Sequence, residues 1–359
     1  MSTPAHRDIS ESLREQIRAA VQTGQPLNIV GGNSKPFLGR ARSGTPLETG
    51  RHRGIVHYDP AELILTVRAG TPLAEVEAAL SEAGQMLAFE PPDFDGRATI
   101  GGTIACNLSG PRRPYSGAAR DFLLGVRIIN GQGEILRFGG EVMKNVAGYD
   151  VSRLMAGAHG TLGVLLEVSL KVLPRPASTL TLVQHCGSAE ALSRMNRWAA
   201  KAVPLAGACY DGDCLFLRLE GAETAVNAAR KTIGGELADH NGQWWRDIAN
   251  HRHGFFRHAR SLRRISVKAT TPPATLPGKW FIEWGGALRW YDGDIDDPTL
   301  QTWARSAHGH SLWWRYPPGT TLDSPFPPLT QPSLRLHQRL KQAFDPAGIL
   351  NPGRLYPDW

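Results

Sequence analysis

Apolar residues recur every fourth position at Ile9, Leu13, Ile17 and Val21 and stop at Gly24. That period predicts a helix with one buried face. Ser12-Leu13-Arg14-Glu15 has capping-box spacing near its start. Short apolar runs at 27–30, 55–58 and 63–68 read as strands. Thr71-Pro72 supplies an N-cap and a proline at the first helical position, which predicts a helix running to Gly84. Runs at 122–129 and 134–138 flank Asn130-Gly131-Gln132-Gly133, a hairpin signal. Residues 162–173 predict a long strand. Beyond Pro174-Arg175-Pro176, where regular structure should break, strands are expected at 179–185, 215–219 and 280–284. Helices are expected at 189–203, 223–233 and 333–344.

The two halves differ in kind. All ten tryptophans follow residue 190, whereas glycine is concentrated before residue 175. A glycine-rich half is one where backbone turns with positive φ or approaches something closely. With 359 residues, two domains are the simplest expectation. Hydrophobic residues at 41% and charged residues at 20% exclude a disordered chain. No apolar run is long enough for a spanning helix. The net charge of +7 favours anionic ligands without arguing for nucleic acid, and no nucleic-acid-binding module is recognisable. Cys106, Cys186, Cys209 and Cys214 form no CxxC pair, so neither a disulfide framework nor an iron–sulfur ligand set is expected. The start of the chain lacks the apolar core of a signal peptide, and a cytoplasmic location is the expectation.

Three glycine loops carry the candidate chemistry. Gly31-Gly32-Asn33-Ser34-Lys35 directly follows the strand at 27–30. Successive small residues let backbone N–H groups converge on an anion, to which Lys35 adds a charge and Ser34 a hydroxyl. Gly101 and Gly102 open a short helix within Thr99-Ile100-Gly101-Gly102-Thr103, followed by Asn107-Leu108-Ser109-Gly110. The amides at such a helix start suit phosphate. Gly157-Ala158-His159-Gly160-Thr161-Leu162-Gly163 runs into a strand. Each loop alone reads equally as a turn. GxGxxG between a strand and a helix, and GxxxxGK[ST], are both absent, which disfavours Rossmann and P-loop sites.

In order, these loops resemble the vanillyl-alcohol-oxidase-type (PCMH-type) FAD-binding family. The segment from Ala98-Thr99-Ile100-Gly101-Gly102 to Asn107-Leu108-Ser109-Gly110 resembles its second loop. Lys144-Asn145-Val146-Ala147-Gly148-Tyr149-Asp150 with Gly160-Thr161-Leu162-Gly163-Val164 resembles the stretch that follows. Asp345-Pro346-Ala347-Gly348-Ile349-Leu350-Asn351-Pro352-Gly353-Arg354 resembles the closing segment of FAD-linked oxidases. Within that family, the length and the wording of residues 142–164 resemble the FAD-binding subunits of bacterial glycolate oxidases (glycolate dehydrogenases).

The resemblance implies an α+β fold. An FAD-binding domain of two subdomains would span 1–175, a cap domain 176–330, and residues 331–359 would return to the first domain. It implies FAD as cofactor. The residues it assigns to FAD are Gly31, Gly32, Asn33, Ser34, Lys35, Ile100, Gly101, Gly102, Thr103, Asn107, Ser109, Gly110, Gly160, Gly163, Val164 and Asn351. Lys144, Tyr149 and Asp150 belong to the site or, with Asp150 as N-cap, to a structural turn. The loop has no histidine and Cys106 reads as a small buried residue, so FAD should be held non-covalently.

Oxidation of a 2-hydroxy acid on flavin needs a base for the hydroxyl proton and a cation for the carboxylate. His308 and His310 are the candidate bases, in Ala307-His308-Gly309-His310, and Arg315 is the candidate carboxylate partner. The family's "GEHGxG" motif is incomplete here, so independent turnover is in doubt. The resemblance implies a complex with a catalytic flavoprotein subunit and an iron–sulfur subunit, acting on glycolate, with peripheral membrane association through those partners. The alternatives are a self-sufficient dehydrogenase of another 2-hydroxy acid such as D-lactate, or a flavin-holding assembly subunit. Arg112 and Arg113 could balance FAD phosphates. No metal site is expected at His251, His253 and His258, because positions two apart do not share a helix face. Arg257, Arg260, Arg263, Arg264 and Lys268 read as a solvated face or as a docking surface for an acidic partner or membrane. Most tryptophans should build the cap core, with one or two of Trp244, Trp245, Trp313 and Trp314 at an interface.

Overall fold

The structure is a computed structural model and describes residues 6–41, 43–140, 150–238, 242–317 and 324–357. Lys144, Asn145 and Tyr149 lie outside the described residues. The chain divides into two units. One comprises 1–108, 118–174 and 328–359; the other comprises 109–117 and 175–327. Ser109 and Gly110 therefore group with the second unit.

The first unit is built on an antiparallel five-stranded sheet in the order Ile55–Asp59, Ile64–Arg68, Val164–Lys171, Leu123–Ile129, Ile135–Gly139. Its register sets Val67 opposite Val168 and Val168 opposite Val126. These side chains share one face, and the helices Leu73–Glu82 and Ile100–Cys106 bury Leu73, Val76, Leu80, Ile100 and Ile104 against it. The helix Ser10–Thr23 buries Leu13 and Ile17, as its period predicts, and Ala20 as well, with Ile9 and Val21 partly buried, beside the parallel pair Leu27–Val30 and Thr45–Glu48. The predicted hairpin turn is present: Asn130 Oδ1 accepts the N–H groups of Gln132 and Glu134, and Gly133 has φ 73°.

Two start signals sit differently from expectation. Ser12–Glu15 lies inside its helix, and Asp8 Oδ1 accepts the Ser10 N–H at 2.9 Å instead. The Thr71 hydroxyl accepts the Gly54 N–H at 2.9 Å, tying two strands' ends together rather than capping. Asp150 is an N-cap, accepting the Arg153 N–H at 3.0 Å.

The C-terminal helix Gln331–Phe344 belongs to the first unit, and the tail after it adds to the edge of Leu27–Val30. Leu27 donates to Ile349 O at 2.7 Å, and Asn351 donates to Leu27 O at 3.0 Å. Residues some 320 positions apart in sequence thus share one ladder.

The second unit is an antiparallel eight-stranded sheet. Its order is Glu236–Leu237, Ser178–His185, Cys214–Gly221, Leu205–Tyr210, Lys279–Glu283, Leu288–Asp292, Leu262–Ser266, His310–Arg315. Helices Ser188–Ala199 and Glu223–Ile233 cover one half, and Asp297–Ser306 covers Ile265 and Tyr291. Trp198, Trp245, Trp284, Trp290 and Trp314 are buried, as expected for a cap core. The basic stretch is not one solvated face. It contains the strand Leu262–Ser266, whose alternation turns Arg263 inward onto Asp297 and Trp313 while Arg257, Arg260 and Lys268 stay exposed.

Candidate functional site

The first unit holds a cleft that gathers residues of all three glycine loops and of the C-terminal motif. Of the sequence-assigned residues, Gly31, Gly32, Asn33, Ser34, Lys35, Gly101, Gly102, Gly160, Gly163 and Asn351 line it. Ile100, Thr103 and Val164 lie behind the wall, at 1% exposure or less. Asn107 ends the helix Ile100–Cys106 with φ 50°, and its Oδ1 accepts the Arg120 N–H at 3.1 Å. Thr49, Thr99, His159 and Arg354 also line the cleft, and the sequence reading missed them.

Backbone forms much of the wall. A Cβ on Gly32 would sit 1.7 Å from the Arg97 carbonyl oxygen, and one on Gly31 2.8 Å from Thr99 Oγ1. No larger residue fits either position. Among the described residues, the N–H groups of Gly31, Gly32, Ser34 and Lys35 have no protein acceptor. They are available to an anion. The helix start is different. Ile100 and Gly101 donate to Thr71 O and Ala69 O, and Gly102 donates to Thr99 Oγ1. Its first amides are already used, so Gly101 serves close packing, with its would-be Cβ 2.5 Å from Ala69 Cβ.

Lys35 and Arg354 give the cleft a positive lining. Lys35 is 9% exposed, and its Nζ donates only to Ser34 Oγ, at 2.9 Å, among the described residues. Burial pushes its ammonium below the usual lysine range. A buried cation without a counter-ion is costly unless a ligand anion completes it. Burial also raises the Cys106 thiol, which keeps it protonated and a poor nucleophile. His159 is driven down to about 3 by burial and by Arg354, so it is neutral. Its backbone sits at φ 51°.

The C-terminal motif fastens these parts. Asn351 Oδ1 accepts the Ile29 N–H at 2.8 Å, and its Nδ2 donates to His159 O at 2.7 Å. Asn351 thus joins the first and third glycine loops with both ends of its amide. The Arg354 guanidinium donates to the carbonyls of Leu38 and Arg40, at the far end of the first loop. The buried polar set fits a group bearing phosphates: open amides, one unpaired ammonium and glycine walls.

The second unit holds the remaining candidates. His308 is exposed, at φ 55°, in the turn after Asp297–Ser306. His310 begins the strand His310–Arg315, and burial and then Arg264 push its imidazole below the usual range. Arg315 ends that strand about 17 Å away along the chain. Its Nη1 donates to Phe256 O at 2.8 Å and Ala259 O at 3.0 Å, a structural tie. Arg112 pairs with Glu220 at 2.8 Å, and Arg113 lies over the Trp284 ring. His251 Nδ1 accepts the Trp314 indole N–H, and His253 Nδ1 accepts the Phe255 N–H. Among the described residues no cluster of metal ligands is present.

Comparison with known proteins agrees with this geometry. A family model described as an FAD binding domain matches residues 8–139, and one for the C-terminal domain of FAD linked oxidases matches 329–355. The chain is 50% identical over 351 residues to glycolate oxidase subunit GlcE of Escherichia coli (strain K12), covering 98% of each chain. It is 31% identical over 183 residues to glycolate oxidase subunit GlcD of Bacillus subtilis (strain 168), covering 50% of this chain and 38% of that one. Among solved structures it resembles an alkyldihydroxyacetonephosphate synthase, with a TM-score of 0.68 and 16% identity over 98% of this chain and 76% of that chain. At that identity the likeness concerns the fold, which is α+β.

Proposed function

Because the chain belongs to the family of glycolate oxidase subunit GlcE, we propose that it is the FAD-holding subunit of a complex that oxidises glycolate to glyoxylate. The chain carries an FAD binding domain and is an FAD-dependent oxidoreductase subunit. Bound FAD supplies the two-electron acceptor chemistry. The observation that carries the reading is Lys35, a buried ammonium without a counter-ion among the described residues, facing a loop of open amides.

In this reading Gly31, Gly32, Ser34 and Lys35 hold the pyrophosphate. Gly102, Gly160 and Gly163 let backbone lie close to the cofactor, while Gly101 lets the helix Ile100–Cys106 pack on Ala69. Asn351, His159 and Arg354 keep the loops in place and keep water out. Cys106 stays a protonated thiol, so FAD is held non-covalently. Of the candidate bases, both His308 and His310 are exposed, and His310 has its imidazole pushed below the usual range by burial and then Arg264, which favours the neutral form that accepts the substrate's hydroxyl proton. Electrons pass to an iron–sulfur subunit, and a catalytic flavoprotein subunit completes the complex. No helix among the described residues is long and apolar enough to cross a membrane, and contact with the cytoplasmic membrane surface would come through the partners.

Isolation with its partners tests this. The expected result is a yellow complex with one FAD on this chain, bleached by glycolate under anaerobic conditions. A colourless chain that takes up no FAD would overturn the reading. Bleaching of the isolated chain by D-lactate would favour the self-sufficient dehydrogenase instead.

A further inference from the structure

The five-stranded sheet of the first unit has a second face, turned away from Val67, Val168 and Val126. Its register sets four charged residues in one row: Arg68 opposite Glu167, Glu167 opposite Arg127, and Arg127 opposite Arg137. The next row is Thr66, Ser169, Gly125 and Gly139. Alternation puts both rows on the same face. The glycine half of the second row carries no side chain, and a recess opens there beside Arg127, Arg137, Glu167 and Ser169. None of these residues lines the cofactor cleft.

The recess has a fixed floor and polar walls. A Cβ on Gly125 would sit 2.9 Å from Gly140 O, so the floor stays bare backbone. Thr66, Glu167 and Ser169 are only 4%, 7% and 8% exposed, and the Thr66 and Ser169 hydroxyls lie 2.8 Å apart.

Donors outnumber acceptors in this patch. Glu167 Oε1 accepts the Arg127 Nη1 at 3.0 Å, and Glu167 Oε2 lies 3.6 Å from Arg137 Nη2. Two guanidinium groups on directly opposed positions therefore share one carboxylate, and like charges so placed repel. Each guanidinium offers five donors. Among the described residues Arg127 commits one to a hydrogen bond and Arg137 none. At the other end of the row, Arg68 has Asp8 at 3.6 Å, while its Nε is buried without a partner among the described residues. His52, fully buried, is close enough to feel the Glu167 and Arg127 charges. Its Nδ1 accepts the Ile9 N–H at 3.2 Å, which leaves the hydrogen on Nε2, and that atom has no partner among the described residues either. What the patch can still take is an acceptor that carries negative charge. A tetrahedral oxyanion takes hydrogen bonds from two guanidinium planes and a hydroxyl at once, whereas a planar carboxylate matches a single fork.

We propose that this recess, anchored by Arg127 and Arg137, binds the phosphate group of a small ligand other than the cofactor. The site lies wholly within the first unit and stands independently of the function proposed above.

The test is calorimetric titration of the full chain, FAD-loaded so that the first glycine loop is occupied, with inorganic phosphate and with glycerol 3-phosphate. Saturable binding of at least one is expected, and the tighter of the two tells the free anion from the ester. Arg137→Gln should weaken that binding at least tenfold while FAD content and melting temperature hold, because the Arg137 side chain is 68% exposed and supports little of the fold. Arg137→Lys should recover part of the loss, since charge remains but the fork is gone. The exposed Arg230→Gln, in the second unit, should bind as the wild type does. No saturable binding of either probe, or equal affinity in Arg137→Gln and wild type, would overturn the proposal. Should Arg137→Gln fail to fold, unaltered affinity in Ser169→Ala would overturn it equally. A chain that takes up no FAD would remove the function proposed above, and the dependence of phosphate binding on Arg137 would still decide for or against the recess.

Discussion

The Lys341 ammonium donates to the Asp345 carboxylate at 2.7 Å, and the two residues are 6% and 1% exposed. The same ammonium donates to Thr161 O and Leu350 O, and the carboxylate accepts the Ile349 and Leu350 N–H groups. One buried pair thus joins the last helix, the third glycine loop and the tail that carries Asn351. Breaking a buried pair by removing one partner leaves an uncompensated charge and costs about 3–5 kcal/mol. Lys341→Met is therefore expected to lower the melting temperature of the flavin-bearing unit by roughly 10 °C. It should also release FAD at temperatures where the wild type retains it. Differential scanning calorimetry with flavin fluorescence reads both. An unchanged melting temperature would show that the pair is not what fastens the tail.

Lys35 separates ligand binding from folding. In the apo chain its buried ammonium is a burden, while with FAD bound it meets phosphate. Lys35→Met is expected to stabilise the apo chain by about 1–2 kcal/mol, the sign seen when buried ionic groups give way to apolar ones. The same change should weaken FAD roughly 100-fold, about 2.7 kcal/mol. Denaturant unfolding of apo protein and flavin titration measure the two effects separately. Opposite signs are the diagnostic result. A loss in both would mean that Lys35 is structural.

Much of this was legible in the sequence, for reasons that differ by residue. Ile9, Leu13, Ile17 and Val21 announce their helix because a 3.6-residue period is local information. Gly31 and Gly32 announce their loop because paired glycines after a strand have few other uses. His159 and Arg354 were not legible. Each acts through partners far away in sequence, Asn351 for the first and the loop near Leu38 for the second. Arg263 was hidden differently. Two adjacent arginines mask the alternation of Leu262–Ser266, so the segment read as a surface charge run. The amides of Ile100 and Gly101 were read as open because nothing local shows that Thr71 O and Ala69 O reach them.

Gly32 gives the sharpest steric prediction. An added methyl would overlap the Arg97 carbonyl oxygen at 1.7 Å, and backbone cannot move aside as a flexible side chain can. Gly32→Ala is expected to yield a chain without bound FAD, with a displaced 31–35 loop. Gly187 is the control, since nothing lies within 4 Å of its would-be Cβ. Gly187→Ala should keep full FAD content and stay within about 1 kcal/mol of wild-type stability. Absorbance at the flavin band per mole of protein distinguishes the two. Equal flavin in both would mean that the first loop does not approach the cofactor closely.

His159 predicts how the cofactor unit responds to acid. Its folded value is about 3, against an ordinary 6.5 in the unfolded chain. Between those values the unfolded state binds a proton that the folded state refuses, so stability falls as pH falls. At about 1.4 kcal/mol per pH unit, acidification from pH 6.5 to 5 should cost about 2 kcal/mol from this residue alone. Stability above pH 7 should not depend on it. His159→Asn tolerates the φ of 51° and removes the titrating ring. The variant's denaturation midpoint is expected to vary less between pH 6.5 and 5 than the wild type's. Denaturant melts at half-unit pH steps, followed by flavin release, provide the measurement. Parallel acid slopes in the two proteins would show that the imidazole is not excluded from its proton.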